Sequence, residues 1–149
     1  MRLTSPDEIL RAAIRKEADE ASFYRMAADR AVPGVRKAFE ELAAEEEGHK
    51  RRLEGFDLKR IDEMALKEVK GLGLSEILED VPFSPDMSYA DLLRMAIKSE
   101  EKSQRFYAST AEIVSDPGLK KLLLILAQEE SVHKERLEKI YDNEIFQEF

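Results

Sequence analysis

The segment EEEGHKRRLE at positions 45–54 returns as EESVHKERLE at 129–138, and the chain's two histidines hold the same place in both. The match extends beyond these segments. Leu42-Ala43-x-Glu45-Glu46-x-x-His49-Lys50-x-Arg52-Leu53-Glu54 aligns with Leu126-Ala127-x-Glu129-Glu130-x-x-His133-Lys134-x-Arg136-Leu137-Glu138 at an offset of 84 residues. Upstream, Ala13-Ile14-x-x-Glu17, followed by Phe23-Tyr24, aligns with Ala96-Ile97-x-x-Glu100, followed by Phe106-Tyr107, at an offset of 83. The extra residue falls in the turn between the aligned segments. An internal repeat of this length implies two halves related by an approximate two-fold axis.

Each half reads as a helical hairpin. Ser5-Pro6-Asp7-Glu8 is a helix start: Ser5 caps, Pro6 suits the first position, and Glu8 completes a capping box. Helical spacing runs from about 6 to 31 and breaks at Pro33-Gly34; a second helix covers 34–54, with Gly55 as its stop. Ser88 and Asp91 open a third helix over 89–115. Asp116-Pro117-Gly118 turns the chain into a fourth over 117–141. Residues 56–87 form a long connector with short helical patterns at 59–69 and 74–80. Short turns make their helices antiparallel neighbours, whereas the long link permits a crossover. The expected architecture is an all-α four-helix bundle with one long crossover between helices 2 and 3, in a single domain spanning 1–149.

A bundle helix buries positions three and four apart. On that stripe the first helix places Leu10, Ala13, Glu17, Glu20, Tyr24 and Ala27. The second places Phe39, Leu42, Glu46, His49 and Leu53. The third places Leu93, Ala96, Glu100, Ser103, Tyr107 and Thr110, and the fourth Leu123, Leu126, Glu130, His133, Leu137 and Ile140. Every apolar stripe is thus interrupted by glutamate near its middle. In the Born limit, an isolated carboxylate in a low-dielectric interior costs on the order of tens of kcal/mol. The stripes themselves offer no Lys or Arg. Glu17, Glu46, His49, Glu100, Glu130 and His133 therefore require a strong positive charge at the centre, which a pair of metal ions supplies. Carboxylate oxygen with imidazole nitrogen and no sulfur suits iron, with manganese as the alternative. Glu45 and Glu129 lie one position off the stripe, beside the ligands or in solvent. Tyr24 and Tyr107 read first as core aromatics; the sharper reading has their hydroxyls bonding to metal-bound carboxylates. On that reading they are the candidate catalytic residues.

The net charge of −8 offers no basic face for a nucleic acid. With no cysteine, the chain can form no disulfide, zinc ribbon, iron–sulfur cluster or rubredoxin-type site of its own. Neither a membrane-length apolar run nor a signal-peptide pattern is present, so a soluble, cytoplasmic protein is the default expectation.

One Glu from each of two helices and Glu-x-x-His from each of the other two is the pattern of ferritin-like di-iron proteins. Within that superfamily, Ala13-x-x-x-Glu17, Glu46-x-x-His49, Ala96-x-x-x-Glu100 and Glu130-x-x-His133 resemble the rubrerythrin group over about residues 6–142. The resemblance implies two iron ions and a reaction with hydrogen peroxide or dioxygen. Two departures stand out. Rubrerythrins carry a rubredoxin domain with four cysteines, and this sequence has none. An external electron donor, such as a rubredoxin-like protein, is then implied. The family also has a further ligand glutamate three residues after the third-helix Glu, where this chain has Ser103; the equivalent place on the first helix holds Glu20. Glu20 is accordingly the seventh candidate ligand. The resemblance is compatible with a homodimer, as are Ile145, Phe146 and Phe149 near the end. The alternative functions are ferroxidation with iron handling, or a non-catalytic, metal-stabilised helical interaction protein.

Overall fold

The computed structural model describes residues 5–56 and 87–144. The remaining connector residues, with both short helical patterns, lie outside them, as do Ile145, Phe146 and Phe149. Among the described residues the regular structure is helical: α1 (Pro6–Arg30), α2 (Pro33–Glu54), α3 (Tyr89–Ile113) and α4 (Pro117–Glu144). α4 continues three residues past the end expected from spacing, while α1 and α3 stop one and two residues early, at Arg30 and Ile113, because Ala31 and Val114 turn extended. None of these helices is long and apolar enough to cross a membrane.

The caps explain the starts. Ser5 Oγ accepts from Glu8 N at 3.2 Å, and Ser88 Oγ accepts from Asp91 N at 3.1 Å. Val32 caps α2 without a side-chain bond, and Pro33 sets the first turn. Gly55 ends α2 with right-handed backbone at φ −78°, so no left-handed stop is needed. Before α4, Asp116 Oδ2 accepts from Leu119 N at 2.7 Å while its backbone oxygen accepts from Lys120 N. Asp116→Ala should cost about 1 kcal/mol in chemical denaturation. A loss indistinguishable from zero would show that this cap contributes nothing.

α1 packs closely along α2, and α3 along α4, whereas the α1–α3 and α2–α4 seams bring the backbones together at few places. The molecule is two tight hairpins laid face to face. Its apolar core is correspondingly divided. One cluster gathers Ile9, Leu10, Leu53, Phe106, Leu119, Leu123 and Leu126. The other gathers Ala28, Val35, Phe39, Leu42, Leu93 and Leu137. The stripe residues expected to face inward are buried, except Ile140, which is partly covered.

Candidate metal centre

Glu17, Glu46, Glu100 and Glu130 are completely buried, and His49 and His133 nearly so. They converge from all four helices. Glu17, Glu46, His49 and Glu130 each bring a donor atom within 4.8 Å of one another, as do Glu46, Glu100, Glu130 and His133. Glu46 and Glu130 belong to both groups. Glu17 with His49 completes one group, and Glu100 with His133 the other, which follows the sequence repeat.

The imidazoles turn Nδ1 inward. His49 Nδ1 lies 3.0 Å from Glu130 Oε1 and 3.5 Å from Glu17 Oε2. His133 Nδ1 lies 2.7 Å from Glu46 Oε1 and 3.7 Å from Glu100 Oε1. The rings stack with centroids 5.5 Å apart. Each Nε2 faces outward to a carboxylate of the opposite hairpin: His49 to Glu129 Oε2 and His133 to Glu45 Oε2, both at 3.2 Å. Arg52 holds Glu129 at 2.9 Å, and Arg136 holds Glu45 at 2.6 Å. Glu45 and Glu129 therefore orient the histidines across the α2–α4 seam. Removing such a partner typically lowers metal affinity 10-fold to 100-fold. Glu129→Ala is thus expected to weaken metal binding by about 10-fold in a competition titration, and an unchanged affinity would rule out this orienting role.

Across the other seam, Tyr24 Oη donates to Glu100 and Tyr107 Oη donates to Glu17. Burial, followed by the surrounding carboxylates, pushes both phenols well above their ordinary range, so they remain donors. Their place as core aromatics and as donors to the cluster are both realised.

The buried carboxylates repel one another. Burial and the neighbouring glutamates raise Glu46 and Glu130 well above the ordinary carboxylate range. Burial, with the Glu20 charge, raises Glu100. Burial alone would lower His49, but Glu17 and Glu129 outweigh it and raise the imidazole. Glu17 Oε2, Glu100 Oε2, both oxygens of Glu46 and Glu130, and both Nδ1 atoms are buried without a hydrogen-bond partner. A donor set so placed, with oxygen and nitrogen atoms aimed at a common centre, fits a pair of hard-to-borderline metal ions.

Glu20 stands apart from these groups. Its Oε1 pairs with Lys16 Nζ at 3.1 Å and accepts from Ser103 Oγ. Burial would raise its carboxyl, but the Lys16 charge, followed by hydrogen bonding with the neighbouring Glu46 and with Ser103, holds it below the ordinary range. Lys16 was not visible as a partner along the apolar stripes, because it lies beside them and reaches one helical turn forward to Glu20.

A helical bundle with paired Glu and Glu-x-x-His residues meeting at its centre defines the ferritin-like di-metal carboxylate class. The sequence profile of the rubrerythrin family matches residues 8–87 and 91–148, so the chain belongs to that family. A solved structure from Thermotoga maritima, described as that of a candidate ferritin-like diiron-carboxylate protein, is similar to this one. Its TM-score is 0.71 at 23% identity, over 95% of this chain and 97% of that one. No curated protein matches significantly.

Proposed function

We propose that this chain is a di-iron oxidoreductase of the rubrerythrin type, reducing hydrogen peroxide with electrons from an external donor such as a rubredoxin-like protein. The observation that carries the reading is the sharing of Glu46 and Glu130 by both four-residue groups. Glu46 and Glu130 would serve both of two ions held there. Glu17 and His49 would complete one position, and Glu100 and His133 the other. When bound, two iron ions supply the electrons that cleave an O–O bond. Converting peroxide to two waters consumes two electrons and two protons, and the electrons come ultimately from the donor.

The chain's own residues set the geometry. Tyr24 and Tyr107 fix the carboxylates of Glu100 and Glu17 from the α1–α3 side. Glu45 and Glu129, each held by an arginine, fix the histidines from the α2–α4 side. The apolar clusters at either end of the bundle exclude water from the axis. Pre-organised ligands need little rearrangement when the metal charge changes.

Stopped-flow oxidation of the reduced, iron-loaded protein tests the assignment. Peroxide should oxidise it much faster than dioxygen at equal concentration. Equal or faster oxidation by dioxygen would replace the peroxidase reading with an oxidase or ferroxidase one.

A further inference from the structure

The repeat breaks at two linked positions. Where α1 carries Lys16 and Glu20, the equivalent positions of α3 are Ser99 and Ser103. All four side chains meet across the α1–α3 seam. Lys16 Nζ lies 3.1 Å from Glu20 Oε1. Ser103 donates to the same oxygen, and Ser99 Oγ stands 3.4 Å from it. Glu20 Oε1 is thus fully engaged, whereas Oε2 is buried without a hydrogen-bond partner on a residue only 6% exposed. Glu20 stands one helical turn past Glu17 on the buried face of α1, and Glu17 belongs to one of the two metal-ligand groups.

A carboxylate with a loose oxygen beside such a centre would be drawn to cations bound there. Lys16 supplies a competing cation, one helical turn away and largely shielded from solvent screening. The serines on α3 give Glu20 room and hydroxyl donors without a second negative charge. The exchange of Lys-Glu for Ser-Ser between the halves is therefore one coupled feature.

We propose that Lys16 is a positioning residue that holds Glu20 off the metal pair, so that this chain coordinates with six residues and keeps a fifth carboxylate parked beside them. The assignment rests on the di-metal reading of the six-residue cluster. Lys16 and Ser103 anchor one oxygen of Glu20; without the lysine, the carboxylate is free to enter the coordination sphere.

Cobalt(II) alone is the probe, because its visible d–d absorption weakens as coordination number rises. Wild type, Glu20→Gln, Lys16→Met and the double variant would be titrated and their spectra recorded. Glu20→Gln should leave the wild-type spectrum unchanged. Lys16→Met should weaken the visible bands and tighten cobalt binding on the order of 10-fold, within the usual range of site coupling. Adding Glu20→Gln to Lys16→Met should restore both the spectrum and the affinity. A wild-type-like spectrum in Lys16→Met, or a changed one in Glu20→Gln alone, overturns the proposal. If Lys16→Met does not fold, the Glu20→Gln comparison decides by the same criterion. Failure of the wild type to take up cobalt would overturn the di-metal reading itself, and this assignment with it.

Discussion

Replacing Glu46 by alanine is expected to empty both metal positions, whereas replacing Glu17 should empty one. Glu46 lies in both four-residue groups and Glu17 in only one. Loss of Glu46 removes a donor from each position and lifts a negative charge from the centre. Loss of Glu17 leaves Glu46, Glu100, Glu130 and His133 together. After iron loading and desalting, elemental analysis should find close to none in Glu46→Ala and about one ion per chain in Glu17→Ala, against about two in wild type. The variant should still fold without metal, since it removes a carboxyl whose charged form the buried interior disfavours. A full complement of iron in Glu46→Ala would refute the shared-ligand arrangement.

Metal-free protein should lose stability as pH rises from about 5 to about 8, and metal should cancel or reverse that trend. Glu46, Glu100 and Glu130 are raised in the folded state above the ordinary value of 4.5. The folded chain therefore holds protons that the unfolded chain has released. Stability is fully present below the ordinary value and drains away as pH climbs through the raised ones. His49 is raised above 6.5 and acts with the same sign. Glu20 is lowered and acts oppositely, but only as pH falls below 4.5. A tenfold change in proton affinity is worth about 1.4 kcal/mol. For a chain of this size, each 1 kcal/mol moves Tm by roughly 2–4 °C. Thermal melts of chelator-treated protein should thus fall by several degrees between the two pH values. Metal binds the deprotonated carboxylates, so the loaded protein should melt at least as high at the upper pH. A Tm of the metal-free form that climbs steadily across the interval would contradict the buried-carboxylate account.

Much of this was legible in the sequence because a four-helix bundle converts spacing directly into burial. Glu17, Glu46, Glu100 and Glu130 share apolar stripes with leucine and alanine, and each is fully buried. The repeat then supplied pairing: two Glu-x-x-His segments on a symmetric fold bring their histidines together. What periodicity did not contain was contact across seams. Glu45 and Glu129 lie one step off their stripes, yet each meets the histidine of the opposite helix. Their role depends on how α2 faces α4, which the spacing within one helix does not encode. Lys16 was hidden for a different reason. Its backbone lies off the stripe, and only its long stem brings the ammonium to Glu20. The place of Glu20 was open for the same cause, since a stripe position alone does not say which partner claims a carboxylate. Two helix ends fell one and two residues short where Ala31 and Val114 turned extended rather than continuing the helix.

The sparse seams between the hairpins have a thermodynamic consequence. Each four-residue group draws on both hairpins: Glu17, Glu46 and His49 with Glu130, and Glu100, Glu130 and His133 with Glu46. Neither hairpin owns a complete pocket. Docking of the halves and capture of metal would then be reciprocal, each strengthening the other by the same free energy. The bundle would in this sense be a clasp, whose grip on metal measures how firmly its two halves are joined.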